Sequence, residues 1–437
     1  MTPLEFAFTW AFQAMAEAED FAMGKLDLDQ SFLCTAKSGV SEFAGLHSDG
    51  QALKHIRVAS AARGRRVVLA FEEVSEIKRM CQTILQADPD IKHVRPDITD
   101  YFGDYTFNAS MTFQEKVRSF AHARPRRWAR CRKCPGGICV VPWFDSPDLA
   151  VAGCPCIDIS NIGQGLMQDG PTMELWLAFA HRHRHRRTKM IIIENLKSRF
   201  VLQLVGFLFA DMYQIHWVDM SPRDAGFAFL RRERIAIVCL LIGSLHFEFD
   251  FYGLYQRIVQ QLSMTQTSPD DILMGSINDV MDEAHHMLVG RQHLRHSQHQ
   301  VADALDFLSG RERKVVHHYY NKKQYCHSTQ QDLRNTIVYL GDDGRYLHKL
   351  STVQISTYRH AGGLFWSLSA GRWVLAKEMM ASMGWPTFEH LARAAGVQQT
   401  DLSLCPPNQW RAAVGNAFHV ANIGMVLVAA LVCAKLD

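Results

Sequence analysis

Pro155-Cys156 follows the apolar run Leu149-Ala-Val-Ala152 and Gly153-Cys154. A short strand that runs into a tight Pro-Cys turn lifts one thiol out of a sheet and presents it to a ligand. A second apolar run, Met190-Ile-Ile-Ile193, leads directly into Glu194-Asn195-Leu196. A thiol and a carboxyl group at the ends of two buried strands can converge on one crevice, and in open α/β sheets that crevice is where ligands bind. The pairing suits covalent chemistry by a cysteine assisted by an acid.

Three other clusters carry chemical types. Cys131-x-x-Cys134 followed by Cys139 has the spacing of a zinc site. Its spacing shows no fourth ligand beyond the nearby His122, so the segment is read as a loop with unpaired thiols and no metal is expected. Arg118 to Lys133 contains seven basic and no acidic residues; such a run could follow phosphates or be a solvated loop. His181 to Arg187 alternates histidine and arginine where a helix ends, and is read as a solvated cap, since positive charge suits a helix C-terminus.

The elements that must position these groups form an alternating pattern. Ser31–Thr35 and Arg66–Phe71 read as strands, and Val74–Gln86 as a helix. Pro142–Ala152, Met190–Glu194, Met212–Val218 and Arg234–Ile242 supply further strands. Strands separated by helices imply a doubly wound, largely parallel α/β sheet. Residues 1–30 read as an acidic, amphipathic N-terminal extension, and 31–243 as the body of the sheet domain. Residues 244–371 form a smaller, irregular domain rich in His, Gln, Arg and Tyr. Within it Arg311 to Tyr325 interleaves basic and aromatic residues, a pattern that suits phosphate contact and base stacking. Residues 372–437 return to the sheet domain, with a helix at Trp373–Met383 and a buried helix over Val420–Ala434.

The chain has 437 residues, enough for two domains with a sizeable core. Its 47 basic and 44 acidic side chains leave a net charge of +3, so global charge selects no partner. Eleven scattered cysteines without framework spacing point to a reducing compartment. The acidic N-terminal stretch suits neither a secretory nor a transit signal, and the apolar C-terminal segment is too short to span a bilayer; neither secretion nor membrane insertion is expected.

Five segments in order resemble the cytosine carbon-5 methyltransferases. Gly153-Cys154-Pro155-Cys156 with Ser160 and Gly163 is similar to that family's G-x-P-C-x-x-x-S-x-x-G loop. Glu194-Asn195-Leu196 resembles its E-N-V, and Arg232-Glu233-Arg234 its R-x-R strand. Arg372 with Leu375, Glu378 and Gly384-Trp385-Pro386 resembles the segment before the last motif, which Gly415-Asn416-Ala417 would close.

The resemblance implies a Rossmann-like sheet that binds S-adenosylmethionine, with residues 244–371 recognising the target. Cys156 would be the nucleophile and Glu194 the acid at ring nitrogen 3, with Arg232 and Arg234 supporting the base oxygen and the loop. Ser160, Gly163 and Asn195 would support the substrate and the loop that flips the base. The cofactor would contact Phe32, Gly39, Glu72, Asp97, Pro155 and Asn416, the glycine turn being placed within Phe32–Phe43. The partner implied is double-stranded DNA, in a nucleus or other DNA-containing compartment. RNA is the alternative, although the inserted region lacks the Cys-Phe-Thr of the transfer-RNA branch. A non-catalytic nucleic-acid binder is the reading from another class.

Overall fold

The computed structural model describes residues 1–22, 28–105, 107–108, 110–143, 145–159, 165–290, 304–325, 336–341, 355–356 and 364–437. They divide into two compact units. One holds Ala11–Ser221, Glu233–Val259 and Asn422–Asp437; the other holds Met1–Trp10, Pro222–Arg232 and Gln260–Ala421.

The first unit is built on seven strands: β1 (Ser38–Glu42), β2 (Ala70–Ser75), β3 (His93–Arg95), β4 (Leu149–Ala152), β5 (Met190–Leu196), β6 (Tyr213–Met220) and β7 (Arg234–Leu241). Their order is β6-β7-β5-β4-β1-β2-β3. β1 to β5 are mutually parallel, and β7 runs antiparallel to both of its neighbours. Strand order therefore reverses between β1 and β4, the switch point at which doubly wound sheets open a crevice beyond their carboxyl ends. The expected mixed, largely parallel α/β architecture is what the chain forms.

Helices α1 (Ser48–Ala61), α2 (Arg79–Ala87), α3 (Met173–Arg186) and α4 (Arg199–Phe209) follow β1, β2, β4 and β5. Met190 to Ile193 and Leu149 to Ala152 are fully buried, as central parallel strands must be when both faces are covered. Burial of each isoleucine contributes about 1.5–3 kcal/mol.

The first half of the sheet departs from the sequence expectation. Phe32–Thr35 is a short helix, and the strand begins at Ser38. The Asp148 carboxylate accepts hydrogen bonds from the amides of Lys37 (2.7 Å) and Ser38 (3.1 Å), which pins the start of β1 beside β4. β2 starts at Ala70 and keeps Val74 and Ser75, so α2 begins only at Arg79. Tertiary pairing overrides local apolar pattern in both places.

The second unit packs helices Ile277–Gly290 and Gly310–Tyr325 against a three-stranded sheet of Ile337–Tyr339, Phe365–Ser367 and Arg372–Trp373. Trp366, Trp373, Val316 and Leu308 fill its core. The buried Glu283 accepts from the Trp373 indole (3.2 Å) and the Ala376 amide (2.9 Å) and pairs with Arg411. The helix Ala376–Ser382 closes at Gly384, whose φ of 84° a side chain would strain. The apolar C-terminal helix spans Val420–Cys433 and is buried. Among the described residues no helix is long and apolar enough to cross a membrane.

Candidate active site

β4 ends because Pro155 has no amide hydrogen to continue the ladder; the last bond to β1 runs from the Gly153 amide to the Glu42 carbonyl, 3.1 Å. The Pro-Cys turn beyond it is held from two sides. The Asn195 carboxamide on β5 donates to the Cys154 carbonyl (2.8 Å), and the Trp176 indole on α3 donates to the Pro155 carbonyl (3.2 Å). Asn195 also accepts from the Leu196 amide (2.8 Å), which fixes its rotamer.

Two thiols sit in this turn, and burial separates them. Cys154 is enclosed; burial and then the neighbouring Glu194 push its thiol pKa well up, so it stays protonated. Cys156 is half-buried. The Lys78 ammonium, just before α2, interacts electrostatically with Cys156. A nearby cation favours thiolate, the reactive form. Lys78 carries no signal in the sequence, because it approaches through the β2–α2 turn.

Glu194 lies on β5, one strand over, and is nearly buried. Arg234, the first residue of β7, reaches it with Nε 3.2 Å from Oε1. Beyond Cys156 the chain is clasped by Asp158, a residue the sequence reading passed over. Its Oδ2 accepts from the Thr172 amide (2.8 Å) and hydroxyl (2.6 Å). A Cβ on Gly170 would come within 2.1 Å of that carboxylate, so glycine makes the room. Ser160 and Gly163 lie outside the described residues.

A family model for C-5 cytosine-specific DNA methylases matches residues 142–387, more than half of the chain. The chain belongs to that family. No curated protein matches it. The solved structure of the Entamoeba histolytica methyltransferase EhMeth is similar, with 11% identity and a TM-score of 0.46 over 90% of this chain and 97% of that one. The S. pombe Dnmt2 methyltransferase has 13% identity and a TM-score of 0.40, covering 90% and 98%. A putative DNA modification methyltransferase encoded within an E. coli prophage has 12% identity and a TM-score of 0.40, again over 90% and 98%.

In this methylase the β1–α1 turn is where the fold would place a cofactor. That turn is Phe43–His47, with φ of 53° at Phe43, 54° at Gly45 and 63° at His47. Gly39 is not in it. It is a residue of β1 whose added Cβ would meet the Phe71 ring at 2.8 Å, so its glycine serves sheet packing. Phe32 is buried in the short helix before the strand. Glu72 is corrected too. It occupies the β1–β2 register irregularity at the opposite end of β2, and its carboxylate pairs with Lys92 at 2.6 Å.

The acid at the carboxyl end of β2 is Glu76. Its carboxylate accepts from the Gly45 amide (2.8 Å) and the Lys78 amide (2.8 Å), which ties the two turns together. Burial raises its pKa against those bonds. Asp97 follows β3 on the same edge, where Oδ1 accepts from the Thr99 amide (2.9 Å) and hydroxyl (2.8 Å). The thiol, Glu194, Glu76, Asp97 and the Phe43–His47 turn thus share one edge of one sheet.

Arg232 and Asn416 belong to the second unit. There the buried Arg232 guanidinium donates to the carbonyls of Ala417 (2.8 Å) and Gly415 (3.4 Å), and so holds the turn that carries Asn416. The Asn416 carboxamide donates to the Ala412 carbonyl (3.2 Å).

The histidine–arginine run is not a solvated cap throughout. Arg182, His183 and Arg186 are buried under the sheet, while Arg187 ends α3 in the left-handed region. Arg182 pairs with Glu42 and, at 2.8 Å, with Glu73, which also takes Arg95 (3.0 Å) and the Tyr101 hydroxyl (2.9 Å). Two carboxylates from β1 and β2 are matched by arginines of α3 and β3, which lets polar residues sit inside these strands. A second polar group lies at the β3 edge, three thiols and His93, of which Cys131 is buried and the other three are half-buried.

Proposed function

We propose that this methylase transfers a methyl group to carbon 5 of cytosine in double-stranded DNA, through a covalent adduct with Cys156. The observation that carries the reading is the placement of the Cys156 turn and the Arg234-paired Glu194 on adjacent strands at the switch-point edge. Carbon 5 of cytosine is a weak nucleophile until the ring's aromaticity is broken. The Cys156 thiolate adds to carbon 6, forming the S–C6 bond. Glu194 hydrogen-bonds or protonates ring nitrogen 3 and takes up the charge that develops there. After carbon 5 has been methylated it loses its proton, and the S–C6 bond breaks to release Cys156.

The methyl donor of this reading is S-adenosylmethionine, which supplies the methyl group when bound. The residues at the edge suit it. The left-handed Phe43–His47 turn would lie against it, Glu76 would face the ribose hydroxyls, and Asp97 would face the adenine amino group. A base stacked in a duplex hides carbon 6, so the cytosine must be extruded to reach Cys156. The segment after Ile159 is the natural loop for that task. The reading places the protein in a nucleus or another compartment that holds DNA.

Trapping on oligonucleotides containing 5-fluorocytosine tests the proposal, because fluorine at carbon 5 cannot leave as a proton does. Wild type with S-adenosylmethionine should give a denaturation-resistant adduct on duplex DNA, and Cys156→Ser should not. Equal adducts from both proteins would remove Cys156 from its role. An adduct on RNA alone would replace DNA by RNA as the substrate.

A further inference from the structure

We propose that His93, Cys131, Cys134 and Cys139 form a structural zinc site that staples the Trp128–Val140 hairpin to the edge strand β3.

The four residues come from three places. His93 is the first residue of β3; Cys131 follows the hairpin strand Trp128–Arg130; Cys134 precedes the Pro135–Gly137 turn; Cys139 lies in the return strand Ile138–Val140. Their ligand atoms all lie within 4.8 Å of one another. The Nδ1 of His93 is 3.3 Å from the sulfur of Cys134, 3.3 Å from that of Cys139 and 4.0 Å from that of Cys131. A tetrahedral zinc ion with bonds of about 2.3 Å to sulfur and about 2.0 Å to nitrogen sets its ligands roughly 3.5–3.8 Å apart. The observed separations bracket that edge length.

The thiols also lie within hydrogen-bonding reach of one another, Cys134 with both Cys131 and Cys139, so the four ligand atoms form one contiguous group. A neutral imidazole nitrogen without a proton accepts along one lone pair, so it cannot serve three thiols. Pairing two of the cysteines would leave the third beside the histidine, and all three are free thiols.

The local backbone also fits a closed metal knuckle. Gly136 and Gly137 have φ of 80° and 74°, which lets the chain reverse between Cys134 and Cys139. The Cys131 amide donates to the Gly137 carbonyl (2.8 Å), and the Gly137 amide to the Cys134 carbonyl (3.1 Å). Arg95 spans the base of the hairpin, donating to the carbonyls of Ala129 (3.2 Å) and Val140 (2.9 Å).

The hairpin has little apolar interior to hold it. Trp128, Ile138 and Val140 are each about half exposed, and Ala129 is its main buried contact. Segments this small commonly depend on a metal or a disulfide for their order. Three thiolates and one neutral imidazole select a soft, tetrahedral ion, and with all four positions filled by protein the site is structural. Loading it releases the thiol protons to solvent. The spacing gave no evident fourth ligand; the nearby His122 is exposed at the end of the helix Phe113–Ala121, and the fold supplies His93 instead.

The full chain, produced with zinc in the medium and freed of loose metal by desalting, tests the proposal independently of any methyl transfer. Metal analysis should find about one zinc per chain, and cobalt exchanged into the site should give the visible absorption of a tetrahedral thiolate complex. Cys134→Ser and His93→Gln should each lose bound zinc, while His122→Ala keeps it. Cobalt absorption of the unaltered chain stands as the second measurement should those variants fail to fold. A chain that holds no zinc and gives no such cobalt absorption, or one isolated with a Cys134–Cys139 disulfide, would overturn the proposal.

Discussion

Arg234 Nε lies 3.2 Å from Glu194 Oε1, diagonally across the antiparallel pair of β7 and β5. Arg234 stands opposite Leu196, and Glu194 is two residues back on the same face, the spacing at which long side chains meet across a sheet. Both side chains are largely shielded from solvent. The Glu194 carboxylate therefore has a fixed direction set by a residue of another strand.

Glu194→Gln should keep the shape of this pair while removing the acid. Adduct formation on 5-fluorocytosine duplexes is expected to slow by about 10²–10⁴-fold, the usual contribution of a positioned acid. Arg234→Ala should slow it as well, and the double variant should be no worse than Glu194→Gln alone. Single-turnover kinetics of the three proteins measure this; full additivity would mean the two residues act separately.

Asn195→Ala leaves the Cys154 carbonyl without its donor in a buried turn. A loss of about 1–3 kcal/mol is expected. Urea unfolding reads the stability change, and iodoacetamide labelling of Cys156 reads whether the turn has loosened. Asn195→Asp should behave like the alanine variant, since a carboxylate cannot donate the bond.

Lys78→Met should slow alkylation of Cys156 at neutral pH by removing the nearby cation. Burial lowers the pKa of Lys78, against the pull of Glu76 and the two cysteines. Its ammonium therefore supports a thiolate below that lowered pKa, and the support fades as pH rises through it. The pH–rate curves of wild type and variant should differ most at neutral pH and converge at high pH.

His55 gives a stability test with a definite sign. Its buried imidazole has a pKa held down to about 3, against 6.5 for the ordinary side chain. The unfolded chain takes up a proton as pH falls through 6.5, and the folded chain does not until near 3. Stability from this group is whole above the upper value and is lost progressively toward the lower one. His55→Gln should therefore flatten the acid limb of a urea-midpoint curve recorded between pH 7 and pH 4.5.

Glu73→Gln should be the most damaging of the single changes. It removes the carboxylate that faces Arg95, Arg182 and Arg186 together. Leaving buried cations uncompensated typically costs about 3–5 kcal/mol. Thermal unfolding of the variant would measure it.

Within the second half of the sheet β4, β5 and β7 were legible because they are uninterrupted apolar runs flanked by reactive groups. Cys156, Glu194, Asn195 and Arg234 could be placed on strand ends from that pattern. The first half was not. β1 reads Ser-Gly-Val-Ser-Glu and β2 reads Ala-Phe-Glu-Glu-Val-Ser, and their buried acids Glu42 and Glu73 are matched by Arg182 and Arg186, more than a hundred positions away along the chain, and Glu73 also by Arg95 of β3. Nearby apolar residues such as Phe32, Leu33, Val67 and Leu69 are buried without being strands, and they drew the expected strands forward. That displacement moved the expected β1–α1 turn from Phe43–His47 to Gly39 and the expected strand-end acid from Glu76 to Glu72. His93 and Lys78 reach their partners only through the fold, so no local spacing announces them.

Asp158 follows Cys156 by two residues and grips Thr172 at the start of α3. The Trp176 indole and the Asn195 carboxamide hold the Pro155 and Cys154 carbonyls, on the other side of Cys156 from that clasp. On the proposed function the thiol is therefore anchored on both sides, by Asn195 and Trp176 before it and by the Asp158 clasp after it, and would stay in place while a base is brought to it.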